Sequence, residues 1–153
     1  MYHITIQQAA DNVFVPAASL LRKWAKQALR EQLPRAEVTI RVVNVDEMTE
    51  LNTTYRHKKG PTNVLSFPFD MPEGMMEKQP ILGDIIICAE VVNREAREQN
   101  KAPQAHWAHM IVHGIFHLLR YDHETEAEAE VMEALEIKTL RILGFEDPYH
   151  ESI

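Results

Sequence analysis

Two apolar spacings alternate along this chain, and each change of period marks a new element. Residues 2–7 set Tyr2, Ile4 and Ile6 against His3, Thr5 and Gln7, which predicts a half-buried strand. Residues 37–43, with Val38, Ile40 and Val42 in alternation, predict a second. Val64–Phe67 and Asp84–Cys88 are the remaining strand candidates, with Phe69 to Pro80 between them read as a loop. A helical period starts near Pro16, which suits a first helical turn because its missing N–H has no partner there anyway. That helix is predicted to run to about Leu33, with Leu20, Leu21, Trp24, Ala28 and Leu29 facing inward. Further helices are predicted over residues 46–57, 89–100, 103–119 and 126–143, with Gly60-Pro61 as a break after the first of these. The last has the clearest ends. Thr125 and Glu128 have capping-box spacing, Glu126 favours the positive end of the helix dipole, and Gly144 is a stop. Strands early and helices late predict an α+β fold: a small mixed sheet of about four strands covered by about five helices, in one domain.

Composition narrows the class of protein. With 153 residues, 45% hydrophobic and 25% charged, the chain has the makeup of one globular domain, and 5 Gly with 8 Pro exclude a collagen-like or low-complexity protein. Its longest apolar run, Ile85 to Ala89, is far short of the roughly 20 residues that cross a bilayer. The first residues carry no basic stretch leading into an apolar one, and the single cysteine, Cys88, cannot form an intramolecular disulfide. A cytoplasmic protein with no membrane partner is the expectation.

The net charge of −7 is unevenly spread. Residues 101–153 hold ten acidic groups against four basic, whereas residues 22–41 carry six basic groups and two acidic. A second basic run follows at Arg56-His57-Lys58-Lys59. The overall charge excludes indiscriminate binding to nucleic acid and leaves room for a local basic face. Charge alone does not separate that face from a solvated helix surface.

Histidine placement is more telling. Of the eight histidines, His106, His109, His113 and His117 fall in one predicted helix. At about 100° per residue, with His106 at 0°, the other three lie near 300°, 340° and 20°. Trp107, Ile111, Val112, Ile115, Leu118 and Leu119 occupy the opposite side. The helix is therefore expected to have a core face and, across from it, a stripe of imidazoles. Protonated rings in such a stripe would repel one another, whereas neutral rings are ready metal ligands. Either His109 with His113 or His113 with His117 has the i, i+4 spacing that lets two rings reach one ion. His123 favours the second pair, but on a continuous helix it would lie about 15 Å beyond His113. Zinc–nitrogen bonds of about 2.0–2.1 Å cannot span that, so if His123 is to join, the helix must end after His117 and the chain must double back, for which Arg120-Tyr121-Asp122 is a suitable place.

The spacing His113-x3-His117-x5-His123 is also that of the zinc ligands in metzincin proteases. Where the protease pattern has its catalytic Glu this chain has Gly114, which cannot act as a base. Where that pattern has Gly for the turn it has Arg120. The ligand spacing is kept and the peptide-hydrolysis base is absent.

The stretch His113-Gly114-Ile115-Phe116-His117-Leu118-Leu119-Arg120-Tyr121-Asp122-His123 resembles the signature H-G-x-L/F-H-L-x-G-Y-D-H of the YbeY family of bacterial metal-dependent endoribonucleases. Tyr55-Arg56 through Pro61-Thr62-Asn63-Val64-Leu65-Ser66-Phe67-Pro68 is similar to its other hallmark, and Gly83-Asp84-Ile85 fits the strand that follows. Arg120 departs from the family's glycine. The resemblance implies zinc held by His113, His117 and His123, with the family's functional arginine at Arg56 and a catalytic role for His113. It also implies single-strand-specific cleavage in ribosomal RNA maturation at the 16S rRNA 3′ end, a part in ribosome quality control, and the ribosome or its proteins as partners.

The residues' own chemistry agrees with that reading. Three protein ligands leave a fourth position for water, as in catalytic rather than closed structural sites. Arg56 can fork two donors onto phosphate oxygens and stabilise charge that grows during displacement. Imidazole-only sites suit zinc and also nickel, copper and iron. Asp122 either orients a ligand histidine from behind or caps the last helix. His109 is read as a polar helix edge, with a supporting or spare ligand role as alternatives. Ser66 lacks a base–acid partner set, Cys88 is read as inert core, and Phe67 and Phe69 are read as core residues with base stacking as the alternative. Two other functions compete: a metal-stabilised ribosome-assembly factor with little turnover, and a metallopeptidase.

Overall fold

The computed structural model describes residues 1–70 and 80–149, so most of the expected loop between Phe69 and Pro80 lies outside the described residues. Among these residues β1 (Tyr2–Gln8), β2 (Ala36–Val43), β3 (Val64–Pro68) and β4 (Ile81–Cys88) form one sheet in the order β1-β2-β4-β3. β1, β2 and β4 run parallel, and β3 lies antiparallel on β4. Parallel neighbours cannot be joined by a tight turn, and α1 (Ala18–Arg30) supplies the crossover from β1 to β2. α2 (Val45–Arg56) leads from β2 to β3. After β4 come α3 (Ala89–Glu98), α4 (Pro103–Leu118) and α5 (Glu126–Ile142). The fold is α+β with a mixed sheet, as the apolar periods predict.

Most boundaries differ from the predicted ones by a residue or two. The larger differences have local causes. α1 begins after Pro16 and stops at Arg30, three residues short of Leu33, where Pro34 bars continuation. β4 starts at Ile81, three residues before Asp84, because Gly83 at φ +137° carries the strand past β3. A Cβ on Gly83 would lie 2.1 Å from the Phe67 carbonyl oxygen, so only glycine fits this close crossing. Phe69, expected in the core, is instead 51% exposed at the end of β3, while Phe67 packs edge-on against Tyr55.

Alternation on β4 divides the interior. Ile85 and Ile87 face the main core, formed with Leu21 and Trp24 of α1, Trp107, Ile111 and Ile115 of α4, and Met132 and Leu140 of α5. Ile86 and Cys88 face a smaller cluster with Val43, Met48, Leu65 and Val91. Each fully buried isoleucine contributes about 1.5–3 kcal/mol relative to exposure. Cys88 is a free, buried thiol whose pKa burial pushes up, in keeping with an inert core residue.

α4 lies against α3 and α5 as well as the sheet, so most of its residues are buried and His113 and His117 keep an open edge. Gly114 is what lets it approach β4, since a Cβ there would sit 3.1 Å from Ile85 side-chain atoms. The Ser66 hydroxyl on β3 donates to the Gly114 carbonyl at 3.2 Å, a structural tie between strand and helix. On the α3 side, His106 Nε2 donates to Glu95 at 3.0 Å. Asn63, at the start of β3, also donates to Glu95, at 3.1 and 3.2 Å. Glu95 thereby fixes the strand edge that carries the Arg56 loop.

Burial pushes the Glu95 carboxyl up, but the hydrogen bonds from His106 and Asn63 outweigh it and hold the pKa below the ordinary 4.5. A depressed carboxyl contributes stability that is present above its ordinary pKa and is lost as pH falls through the folded value. Glu95→Gln is therefore expected to flatten the loss of stability below about pH 4.5 relative to wild type. Urea titrations at several pH values check this; parallel curves for the two proteins would refute it.

Candidate metal centre

A site shared by His113, His117 and His123 requires a reversal after His117, and the chain makes one. α4 ends at Leu118, and the Tyr121 N–H donates to the Phe116 carbonyl at 3.0 Å, closing the six-residue loop of a Schellman C-cap. Arg120 occupies the left-handed position of that cap, with φ +76°. The turn folds His123 back over the helix end. Its ring centroid lies 5.4 Å from that of His113 and 5.1 Å from that of His117, while the His113 and His117 centroids are 4.5 Å apart. One nitrogen from each ring lies within 4.8 Å of the others.

The donor set fits a transition-metal ion. His113 Nε2 and His117 Nε2 face each other at 3.1 Å. Two nitrogens held tetrahedrally at about 2.0–2.1 Å from one ion stand about 3.3 Å apart. Burial, together with the neighbouring His113 and His123, pushes the His117 pKa down to about 4, so this ring stays neutral and able to ligate near neutral pH.

The fourth imidazole of the expected stripe has a different place. His109 is not a polar edge but a buried residue, 6% exposed, because α5 covers that side of α4. Its Nε2 donates to Glu136 Oε1 at 2.6 Å. Glu136 Oε2 accepts from His113 Nδ1 at 2.9 Å, and Tyr149 donates its hydroxyl to Oε1 at 2.5 Å. Burial pushes the Glu136 carboxyl up, but the His109 and His113 hydrogen bonds prevail and hold its pKa down near 2. The carboxylate is ionised; burial keeps His109 neutral and raises the Tyr149 hydroxyl. His109, His113 and Glu136 thus form a second, more buried group whose ligand-type atoms lie within 4.8 Å of one another.

Glu136 and Tyr149 are absent from the sequence-based candidates. Glu136 did leave a signal: it stands between Met132 and Leu140 at i, i+4 spacing, where the buried face of α5 demands an apolar residue. Tyr149 left none. Asp122 does not cap α5, and it meets His123 through the backbone rather than the ring. The Thr125 hydroxyl caps α5 by accepting from the Glu128 N–H at 3.1 Å. Asp122 accepts from the His123 backbone N–H at 2.7 Å, and its oxygen is 3.9 Å from the His123 ring nitrogen, too far for a hydrogen bond.

The three rings open onto a cleft of about 570 Å³ between α4, β3 and the loop after α2. Arg56, the last residue of α2, and Lys58 line this cleft together with Ser66 and Arg120. The loop carrying the cations is held in place: His57 is left-handed, the Lys58 N–H donates to the Asn52 carbonyl at 3.3 Å, and Asn52 donates to the Gly60 carbonyl at 2.9 Å. Arg120 also reaches across to Asp70 at 2.9 Å, an exposed pair. Among the described residues no helix is long and apolar enough to cross a membrane.

Fold and site together define a class: α+β proteins in which a helix end and the turn after it gather imidazoles beside a cationic cleft. The chain belongs to the Endoribonuclease YbeY family, which it matches over residues 3–144. It is 55% identical over 151 residues to the endoribonuclease YbeY of Methylococcus capsulatus, covering 99% of this chain and 97% of that protein. To the endoribonuclease YbeY of Nitrosococcus oceani it is 50% identical over 146 residues, 95% of each chain. The solution structure of TM1509 from Thermotoga maritima shares the fold, with a TM-score of 0.59 at 23% identity over 98% of this chain and 99% of that one.

The left-handed Arg120 yields a prediction. A residue with a Cβ at such an angle costs about 1 kcal/mol or more relative to glycine, whereas an exposed ion pair such as Arg120–Asp70 contributes about 0–1 kcal/mol. Arg120→Gly is expected to raise the unfolding free energy by up to about 1 kcal/mol, read as a higher urea midpoint. A lower midpoint would mean that the side-chain contacts outweigh the backbone strain.

Proposed function

We propose that this protein is a zinc-dependent endoribonuclease that cuts single-stranded RNA in ribosomal RNA maturation, including the 16S rRNA 3′ end, and in ribosome quality control. The observation that carries the proposal is the convergence of His113, His117 and His123 beside Arg56, Lys58 and Arg120 in one cleft. Membership of a family whose relatives are named endoribonucleases directs it toward RNA. The three histidines would hold one ion per chain. When bound, zinc supplies Lewis-acid charge and activates water near neutral pH.

The chain's own groups have separate tasks. His113, His117 and His123 present ring nitrogens to one point and leave the cleft side of the triad open to substrate. Arg56 forks its donors onto the oxygens of the scissile phosphate and stabilises the charge that builds there. Lys58 and Arg120 attract flanking phosphates. Gly114 supplies no base and faces Ile85 rather than the cleft, which disfavours the peptidase alternative. The ribosome and its proteins are the proposed partners, and the cytoplasm the proposed compartment.

Elemental analysis of protein purified without chelating resin is expected to find one transition metal per chain, with zinc foremost. Replacing His113, His117 or His123 with alanine should abolish its retention. In a cleavage assay on labelled single-stranded RNA, Arg56→Ala is expected to lower the rate by about 100-fold or more, and His113→Ala to abolish cleavage. RNA affinity should weaken with salt along a shallow slope, because few phosphates are neutralised. RNA binding with no cleavage at any metal loading would sink the enzyme reading in favour of an assembly factor.

A further inference from the structure

One buried carboxylate remains that the cleft chemistry does not use. Glu136 is 0% exposed, yet it meets three donors. Its Oε2 accepts from His113 Nδ1 at 2.9 Å, and its Oε1 accepts from His109 Nε2 at 2.6 Å and from the Tyr149 hydroxyl at 2.5 Å. A carboxylate oxygen is the acceptor in each of these contacts, and the ring nitrogens and the hydroxyl are the donors. For His113 the contact geometry assigns the proton to Nδ1, which faces the carboxylate oxygen, and the lone pair to Nε2. Nε2 is the atom that faces His117 at 3.1 Å within the triad. With the opposite tautomer, a lone pair would meet the carboxylate and an N–H would fill the space where ligand atoms converge.

We propose that Glu136 is a positioning residue for His113, turning its Nε2 lone pair toward the ion, while His109 and Tyr149 anchor the carboxylate's other oxygen. The inference rests on the metal reading of the triad. A carboxylate that accepts from a ligand imidazole fixes the ring's orientation and raises its basicity. Anchoring of Oε1 stops the side chain from rotating away, and it comes from two elements, α4 through His109 and the segment after α5 through Tyr149. A second ion among His109, His113 and Glu136 is the competing use of these atoms. It would strip the protons that account for the contacts, and 2.6 Å is a hydrogen-bond length, shorter than the roughly 3.3 Å between ligands of one tetrahedral ion.

The test uses the full chain as wild type, Glu136→Gln and Tyr149→Phe, with three readouts. Long-range proton–nitrogen NMR of the metal-free protein reports the His113 tautomer. Chelator competition gives the zinc affinity, and elemental analysis gives the zinc count. Wild-type His113 is expected to carry its proton on Nδ1. Glu136→Gln offers a single acceptor oxygen and an NH2 that meets a donor, so zinc affinity should fall about 10–100-fold with the count still one per chain. Tyr149→Phe keeps the carboxylate and should show a smaller loss in the same direction. If Glu136→Gln does not fold, Tyr149→Phe and the wild-type tautomer carry the test.

A wild-type His113 protonated on Nε2 would overturn the proposal. So would a variant that is less heat-stable but binds zinc with wild-type affinity, or a second zinc that Glu136→Gln removes. Wild-type protein that takes up no zinc overturns the metal reading and the positioning role with it. Zinc uptake with unchanged affinity in both variants overturns the positioning role alone.

Discussion

α4 carries a row of imidazoles from a buried stretch, His106 and His109, to a half-buried one, His113 and His117, and neighbouring carboxylates meet the inner rings. A buried ring nitrogen without a partner is costly, and His106 and His109 each meet an acceptor at Nε2, while their Nδ1 atoms stay buried without a partner among the described residues. Glu95 on α3 serves His106, and Glu136 on α5 serves both His109 and His113. Two flanking helices are thereby keyed to α4 by charge as well as by apolar contact. Beyond these carboxylates the row runs out into the cleft, where His117 and His123 join the exposed edge of His113. Structural histidines thus grade into candidate ligands within four turns of one helix.

The turn after α4 converts a linear motif into a three-dimensional cluster. A Schellman cap reverses the chain within a few residues, and that reversal brings His123 to the other two rings. Arg120 at the left-handed position accepts backbone strain that glycine would avoid, and in return places a guanidinium at the rim of the cleft beside Asp70. The same residue therefore bears on stability and on the charge an anionic substrate would meet. Opposite it, the loop after α2 presents Arg56 and Lys58 from a segment pinned by Asn52. The cationic rim comes from two separated parts of the chain, which is how a protein with net charge −7 can still offer a positive cleft.

Gly114 links the packing to the chemistry. Its missing side chain lets α4 settle onto Ile85, and a side chain there would press on the Ile85 side chain rather than enter the cleft. The helix approaches the sheet closely enough for Ser66 to bond the Gly114 carbonyl. Glycine at this position thus belongs to the helix–sheet contact, and the cleft is furnished by other residues.

Much of this was legible in the sequence because it depends on local periodicity. Alternation over residues 2–7 and 37–43, the helical period of the later segments, and the Thr125 and Gly144 end signals are written in nearest-neighbour chemistry. So is the condition that the chain turn back after His117 if His123 is to join the other two rings, since helix rise sets their separation. What the sequence could not decide is which side of α4 is covered. That depends on α5, whose distance along the chain hides its contact with His109 and makes a buried imidazole look like a polar edge. Glu136 betrayed itself only as a charge in an apolar stripe, and Tyr149 and the exposure of Phe69 not at all. Those outcomes are fixed by which helix packs against which, a matter of long-range burial that no local pattern encodes.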